Sequence, residues 1–381
     1  MNILMLTSEF LPATGGIGTY AREMASAASA LGAQVTVLAP DYAKRSEIDD
    51  QSFAFRTRRF SGGLHSARDL PAKVMLARSA VDADEYDILH AADWPFFIPV
   101  ALSRGRTDAR VIMTLHGSEI NETQTFLKRL AIGACNVFGG RTEIAANSAF
   151  TRDLFRRRFD VAAHRINAIP LGVSEFWFGE RQERNVTRDK HDIPRNNIVL
   201  ITVARLTRRK GHSVTAAALR GLSAAQRKHL TWLIVGPDGE ADYIDTLQHD
   251  LTAVGCDIRR LGVLSDAAIR DLYAASDFFC LTGIPDPSGR IEGFGLVYLE
   301  AAAAGLPSVA TRVGGVADAV LADLTGLLVE PTVAAVAHAI ETMIETPELR
   351  SRLGAAALDR ARQLSWKRCA ARTYSLPMDA A

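Results

Sequence analysis

Short, wholly apolar runs alternate along the chain with longer stretches that are apolar only at every third or fourth position. In the first half, runs rich in Val, Ile and Leu predict strands buried on both faces at Ile3–Thr7, Val35–Ala39, Asp87–Ala91, Val111–His116, Ile144–Asn147 and Ile166–Ile169. Between them, Gly18–Leu31, Phe126–Ala134 and Ala149–Arg157 carry apolar residues at helical spacing. Repeated strand–helix units predict a parallel sheet covered on both sides. Around residues 170–197 the pattern breaks. Pro170-Leu-Gly-Val173 gives way to the charged stretch Gly179–Asp192, which reads as a linker between domains. A second series predicts strands at Ile198–Val203, Leu230–Val235, Ile258–Leu261, Phe278–Leu281, Ser308–Ala310 and Gly326–Val329. Its helices are expected at Tyr243–Val254, Asp266–Ala275 and Gly295–Ala304, with two more near the C-terminus. The predicted fold class is α/β: two Rossmann-like, doubly wound domains facing a cleft, over residues 1–175 and 176–365. A C-terminal helix over 366–381 is expected to pack back on the first domain.

The length of 381 residues supports the same division, because it exceeds what one hydrophobic core usually holds. Apolar content of 48% and charged content of 23% fit a soluble globular protein, and a net charge of +1 gives no support for nucleic-acid binding. Cys135, Cys256, Cys280 and Cys369 are scattered, without a C-x-x-C pair or metal-ligand spacing, and read as free thiols in a reducing compartment. The N-terminus lacks a basic leader and reads as a first strand, and runs such as Trp94–Leu102 are too short to span a bilayer. A cytoplasmic protein is expected.

The unusual residues fall at strand-to-helix junctions, where open α/β sheets bind ligands. Glu292 and Glu300 stand eight residues apart in Glu-Gly-Phe-Gly-Leu-Val-Tyr-Leu-Glu, so both carboxylates can lie on one side of a helix that starts at the glycines. Uncovered amides at such a start attract phosphate, and carboxylates take hydroxyls. Chance supplies the same spacing in any long chain. Arg205 and Lys210 bracket a turn after the strand 198–203 and offer a rigid fork and a mobile point charge to a diphosphate. A solvated basic turn accounts for the same residues, and Arg208 and Arg209 read as surface. After the first strand, Gly16, Gly18 and Ala21 match the dinucleotide fingerprint, with Asp41 placed as a ribose acid. The excursion Glu9–Gly15 argues against an NAD(P)-dependent oxidoreductase, since that fingerprint follows its strand directly. A glycine loop reaching a phosphate, or a plain turn, fits as well. His116 ends a strand, as Asp93 and Trp94 do nearby, and Glu119 follows it; each is a candidate or a structural residue.

Gly15-Gly16, His116-Gly117, Asn147-Ser148, Pro170-Leu-Gly-Val173, Arg205…Lys210-Gly211, Gly236-Pro237, Gly262-Val263, Glu292…Glu300, Ala304-Gly-Leu-Pro307 and Gly314-Gly315 occur in this order. The chain thereby resembles the retaining glycosyltransferases of family four, of GT-B fold, from residue 1 to about 366. It looks most like bacterial lipid- and polysaccharide-directed hexosyltransferases, and Gly283–Ile291 is similar to a segment of phosphatidylinositol mannosyltransferases. The resemblance implies an acceptor-binding N-terminal domain and a C-terminal domain that binds a nucleotide-sugar donor, UDP- or GDP-linked. It makes Arg205 and Lys210 the diphosphate pair, Glu300 the ribose ligand and Glu292 the contact to the transferred sugar, beside the amides of Gly293, Phe294 and Gly295. Gly16 would approach the phosphates, His116 the reaction centre, and Gly236, Gly262, Val263 and Leu264 the base. Asp318 departs from the pattern, where many relatives carry Glu. The implied reaction is front-side displacement needing neither metal nor cofactor, with cleft closure excluding water. A sugar-nucleotide epimerase on the same fold would need an acid–base pair that is not evident.

Two basic segments lie in the half that resembles the acceptor domain. One holds Arg152, Arg156, Arg157 and Arg158, and the other interleaves Arg56, Arg58 and Arg59 with Phe53, Phe55 and Phe60. A solvated helix face and an ordinary strand explain them. Attraction to anionic lipid at the inner face of the membrane explains them too.

Overall fold

Thirteen strands in two sheets organise the chain in the computed structural model, which describes residues 1–13, 15–42, 49–61, 67–122 and 125–378. Contacts divide it into two units, Met1–Gly172 with Trp366–Ala381, and Val173–Ser365.

The first unit holds β1 (Asn2–Leu6), β2 (Gln34–Asp41), β3 (Arg56–Ser61), β4 (Ile88–Ala91), β5 (Arg110–Leu115), β6 (Thr142–Ala146) and β7 (Ile166–Ala168). They form one parallel sheet in the order β3-β2-β1-β4-β5-β6-β7. Ile3 of β1 sits between Val35 of β2 and Ile88 of β4, and Ile3 to Leu6 are wholly buried, as strands covered on both faces must be. The basic segment 56–61 is the edge strand, which is why it reads as polar. Its Arg59 is committed to Asp50 (2.6 Å) and to the carbonyls of Leu11 (2.8 Å) and Pro40 (2.9 Å).

Helix Trp366–Tyr374 packs on helix Gly16–Ala30. A buried polar chain fixes it there: Tyr374 Oη lies 2.7 Å from His90 Nδ1, His90 Nε2 lies 2.8 Å from Thr114 Oγ1, and Tyr20 Oη lies 2.8 Å from the same hydroxyl. Burial, with the nearby His116 adding, pushes His90 down to about 3, so the ring is neutral. The helix is shorter than the 366–381 expected. It ends at Tyr374, where Ser375 turns to φ +59° and Pro377 follows, and residues 379–381 lie outside the described residues.

The second unit holds β8 (Ile198–Val203), β9 (Leu230–Val235), β10 (Asp257–Gly262), β11 (Phe278–Leu281), β12 (Ser308–Thr311) and β13 (Gly326–Val329), parallel in the order β10-β9-β8-β11-β12-β13. The supposed linker belongs largely to this unit. Residues Arg184–Lys190 form a helix, and Arg188, 2% exposed, donates to Asp277 (2.9 Å) and to the carbonyls of Ala275 (3.0 Å), Arg195 (2.9 Å) and Asn197 (3.0 Å). A buried arginine saturated by carbonyls cannot be told from a solvated one by composition. In both sheets the strand order reverses, between β1 and β4 and between β8 and β11, and such switch points are where doubly wound sheets bind ligands.

Candidate active site

At the switch point of the second sheet, the loop after β8 meets the loop after β11. Gly211 makes the meeting possible. It is left-handed at φ +73°, and a Cβ there would stand 1.8 Å from the Thr282 carbonyl oxygen, so only glycine lets the two loops touch. Thr282 Oγ1 donates to the Gly211 carbonyl (2.9 Å) and lies 2.8 Å from Thr215 Oγ1, which locks Lys210 one residue upstream. From the other side, the Gly315 amide donates to the Glu292 carbonyl (2.8 Å), and a Cβ on Gly314 would fall 2.2 Å from that oxygen.

Held this way, Lys210 Nζ donates to Glu292 Oε2, and Arg209 stands 3.8 Å from the same oxygen. The Lys210 and Glu292 side chains are only 15% and 23% exposed. Burial pushes the Glu292 carboxyl upward, but the charge and hydrogen bond of Lys210, and then Arg209, outweigh it and hold the group below its usual range. These residues line a tight crevice, with open space of only about 10 Å³, together with Gly283, Arg290 and Tyr298. Arg209, read from sequence as surface, is therefore part of the cluster; nothing in an Arg-Arg-Lys turn says which cation points inward.

Glu292 does not share a helix with Glu300. The helix spans Leu296–Ala303, its N-cap Gly295 is left-handed at φ +91°, and Glu292 lies in the preceding loop. Tertiary packing of that loop on Gly314 overrides the helical spacing. The N–H groups of Gly293, Phe294 and Gly295 meet no acceptor among the described residues. Glu300 lies on the helix, partly buried, and makes no hydrogen bond or ion pair among the described residues; burial, with the charge of Asp266 adding, raises it to about 8. Arg205 is exposed, and its side chain makes no hydrogen bond or ion pair among the described residues. Gly236 donates its N–H to the Gly262 carbonyl (2.8 Å), and beside it Val263 is 72% exposed while Leu264 is half-buried. His212, after Gly211, is buried with neither ring nitrogen hydrogen-bonded among the described residues, and burial pushes it to about 3.

The remaining candidates belong to the first unit. Gly16 opens its first helix, ten residues after β1 ends at Leu6. His116 follows β5, its Nε2 donating to the Ala92 carbonyl (2.8 Å), its N–H donating to Glu119 and its ring set edge-on to Tyr20 at 5.0 Å. Asp93, buried, accepts from the Ser8 amide (2.8 Å) and hydroxyl (2.6 Å), and burial raises its carboxyl to about 6. Asp41 closes β2.

Both halves of the chain match family models: "Glycosyltransferase Family 4" over residues 14–175 and "Glycosyl transferases group 1" over residues 183–360. The chain belongs to glycosyltransferase family 4 and has the GT-B fold. It is an enzyme of the transferase class, and the oxidoreductase reading through Gly16, Gly18 and Asp41 is set aside. It is 31% identical over 244 residues to the D-inositol 3-phosphate glycosyltransferase of Corynebacterium glutamicum, covering 62% of this chain and 57% of that one. It is 26% identical to the GDP-mannose-dependent alpha-(1-6)-phosphatidylinositol monomannoside mannosyltransferase of Mycolicibacterium smegmatis, covering 93% and 92%. Anabaena HepE in complex with UDP and glucose superposes with a TM-score of 0.78 at 22% identity, covering 98% of each chain. No helix among the described residues is long and apolar enough to cross a membrane.

Proposed function

We propose that the chain transfers a hexosyl group from a nucleoside-diphosphate sugar to a hydroxyl of a lipid or glycan acceptor, with retention at the anomeric carbon. One observation carries the reading. At the β8/β11 switch point, Lys210 and Arg209 converge on Glu292 next to three backbone N–H groups with no acceptor among the described residues. Cations and free amides suit a diphosphate, and the carboxylate suits sugar hydroxyls. Arg205, unengaged at the mouth of the same loop, supplies a second fork for the phosphates. Glu300, partly buried and with no side-chain partner among the described residues, suits a ribose diol. The base lies against Gly236, Gly262, Val263 and Leu264, where backbone and an exposed apolar side chain adjoin. Gly16 and His116 serve the phosphates and the reacting sugar from the first unit, which binds the acceptor.

With the leaving diphosphate taking the acceptor's proton, the protein supplies positioning and charge stabilisation. The Mycolicibacterium relative, named as GDP-mannose-dependent and as a phosphatidylinositol monomannoside mannosyltransferase, supports a lipid-linked acceptor. The arginines of helix Ala149–Arg158 divide in this respect. Arg158 donates to the carbonyls of Glu122 (3.2 Å) and Asn121 (3.1 Å) and Arg152 to Asp153 (2.8 Å), which leaves exposed Arg156 and Arg157 for anionic lipid.

A thermal-shift screen with UDP, GDP and ADP tests the reading. One of them should raise the unfolding temperature, and Lys210→Ala should abolish the shift and lower kcat about 10- to 100-fold, the worth of one charged hydrogen bond at the transition state. Protection that survives Lys210→Ala and Arg205→Ala together would remove the diphosphate from this site.

A further inference from the structure

The open space of about 10 Å³ between Lys210 and Arg290 would hold about one water molecule, so a diphosphate enters only if part of the wall yields. Most of that wall is pinned. Gly211 against Thr282 fixes Lys210, and Gly314 and Gly315 against the Glu292 carbonyl fix Glu292. The Arg209 carbonyl accepts from the Ile284 N–H (2.9 Å), and buried Tyr298 donates its hydroxyl to the Leu281 carbonyl (2.9 Å). Arg290 is the exception. Its side chain is 50% exposed, its Nε lying 3.3 Å from Asp286 Oδ2 and its Nη2 3.6 Å from Glu240 Oε1. Both separations exceed the roughly 2.7–2.9 Å of a formed charge-assisted hydrogen bond, and at this exposure both pairs are weak. A hydrogen bond from Nε to Ser288 Oγ (3.1 Å) completes its hold.

The two acids are placed by their own loops. Asp286 gives its other oxygen to the Ser288 amide (2.8 Å) and hydroxyl (2.7 Å), closing the turn that leads into Arg290. Glu240 comes from the loop after β9. Its Oε2 accepts the Arg208 N–H (3.2 Å), which sets the carboxylate beside the turn that carries Arg209 and Lys210. Gly239 seats that loop, since a Cβ there would stand 2.6 Å from the Leu206 carbonyl oxygen. Three loops therefore bring a guanidinium and a carboxylate to the rim of a cationic crevice without either saturating the other. A diphosphate is the better partner for that guanidinium. It carries more charge than Glu240, offers more acceptor oxygens and takes both arms of the fork.

We propose that Arg290 changes partners: Glu240 and Asp286 hold it at the rim, and an arriving diphosphate takes it over, drawing residues 285–291 onto the donor. The exchange rests on the nucleoside-diphosphate reading above and adds a residue to it. It also gives Glu240 and Arg290 opposite signs. Breaking the pair from the acid side frees the cation for the ligand, whereas breaking it from the basic side removes the cation.

Titration calorimetry of the full chain with UDP, GDP and ADP reads those signs. Whichever nucleotide binds the wild type, Arg290→Gln should bind it about tenfold more weakly, the worth of one charged hydrogen bond. Glu240→Gln should bind it about three- to fivefold more tightly, because a half-exposed ion pair no longer has to be broken. Added to Arg290→Gln, Glu240→Gln should change the affinity by less than about twofold. A glutamine carbonyl still accepts the Arg208 N–H, so the variants should keep the wild-type unfolding temperature within about 2 °C. Equal weakening by both single variants would mean that the pair only ties the loops together, and would overturn the exchange. Wild-type affinity in Arg290→Gln would overturn it too. Should Arg290→Gln not fold, Glu240→Gln decides alone: tighter binding supports the exchange, and weaker or unchanged binding overturns it. Binding that needs Lys210 but ignores Arg290 removes the exchange and leaves the proposed function standing, whereas no binding of any of the three nucleotides removes both.

Discussion

Glu292→Gln separates two tasks that share Lys210. Lys210 donates to the Glu292 carboxylate and Arg209 stands 3.8 Å from it, so an arriving diphosphate competes with that carboxylate for both cations. A carboxylate about 6 Å from one phosphate charge, at an effective dielectric constant of about 40, repels it by about 1.4 kcal/mol, a factor of about ten in Kd. Gln keeps the shape and removes the charge. A nucleoside diphosphate without its sugar should therefore bind Glu292→Gln about tenfold more tightly, while turnover falls about 10- to 100-fold for want of the carboxylate on the sugar hydroxyls. Stability should move the other way. With the pair's side chains only 15% and 23% exposed, loss of the charge leaves Lys210 a neutral acceptor and costs about 1–2 kcal/mol, about 3–6 °C in unfolding temperature. Because the folded Glu292 carboxyl is depressed, its contribution is present above the unfolded value and lost as pH falls through the folded one; the variant should be flat across that acid window. Titration calorimetry with UDP and GDP, beside scanning calorimetry, reads both effects. Weaker or unchanged nucleotide binding by Glu292→Gln refutes the competition.

Glu300 carries the opposite sign. Raised to about 8 by burial, it stabilises the fold fully below its unfolded value, and that stability is lost as pH rises towards 8. Glu300→Gln should gain on the wild type in unfolding temperature between pH 5 and 8, and parallel curves would contradict the burial. Gly211→Ala combines φ +73° with a Cβ 1.8 Å from Thr282 O, so it should cost at least about 2 kcal/mol in urea unfolding and remove nucleotide protection; an unperturbed variant would disprove the loop contact. Tyr374→Phe leaves His90 Nδ1 buried without its partner, for about 1–3 kcal/mol. Since His90 is depressed to about 3, its stability is present above the unfolded value near 6.5 and fades as pH falls below it, which acid unfolding of His90→Gln against wild type should expose.

Strands such as Ile3–Leu6 and Ile198–Val203 were legible because burial on both faces leaves an unbroken apolar run, and their spacing gives the α/β class directly. The ends of those strands drew notice through the order in which Lys210, Gly211, Glu292 and Gly314 follow one another and not through residue type, since a solvated basic turn and chance spacing account for each alone. What the pattern lacks is direction. It gives the helix Phe126–Ala134 an apolar arc without saying whether the arc faces core or solvent, and Phe126, Leu127 and Leu130 are exposed. It places Arg188 and Arg209 in charged stretches without saying that one is saturated by carbonyls and the other turned towards Glu292. The spacing of Glu292 and Glu300 suggests one helix, whereas left-handed Gly295 and the contact of Glu292 with Gly314 break it. Each failure is a long-range contact prevailing over local periodicity.

The two switch points explain why the anionic half of a donor should go to the second unit. In the first sheet, the crevice between β1 and β4 is closed by its own residues: Asp93 takes both the amide and the hydroxyl of Ser8, so the backbone donor that would meet a phosphate is already occupied by a buried carboxyl. An anion there would lose that donor and face a second acid, Glu9. In the second sheet, the crevice between β8 and β11 leaves the amides of 293–295 and the Arg205 guanidinium uncommitted among the described residues, and its Glu292 carboxylate is already counterbalanced by two cations. The same topology, filled with different residues, thus gives one junction whose strand-end amide, that of Ser8, is already taken and one whose donors are left open to the diphosphate.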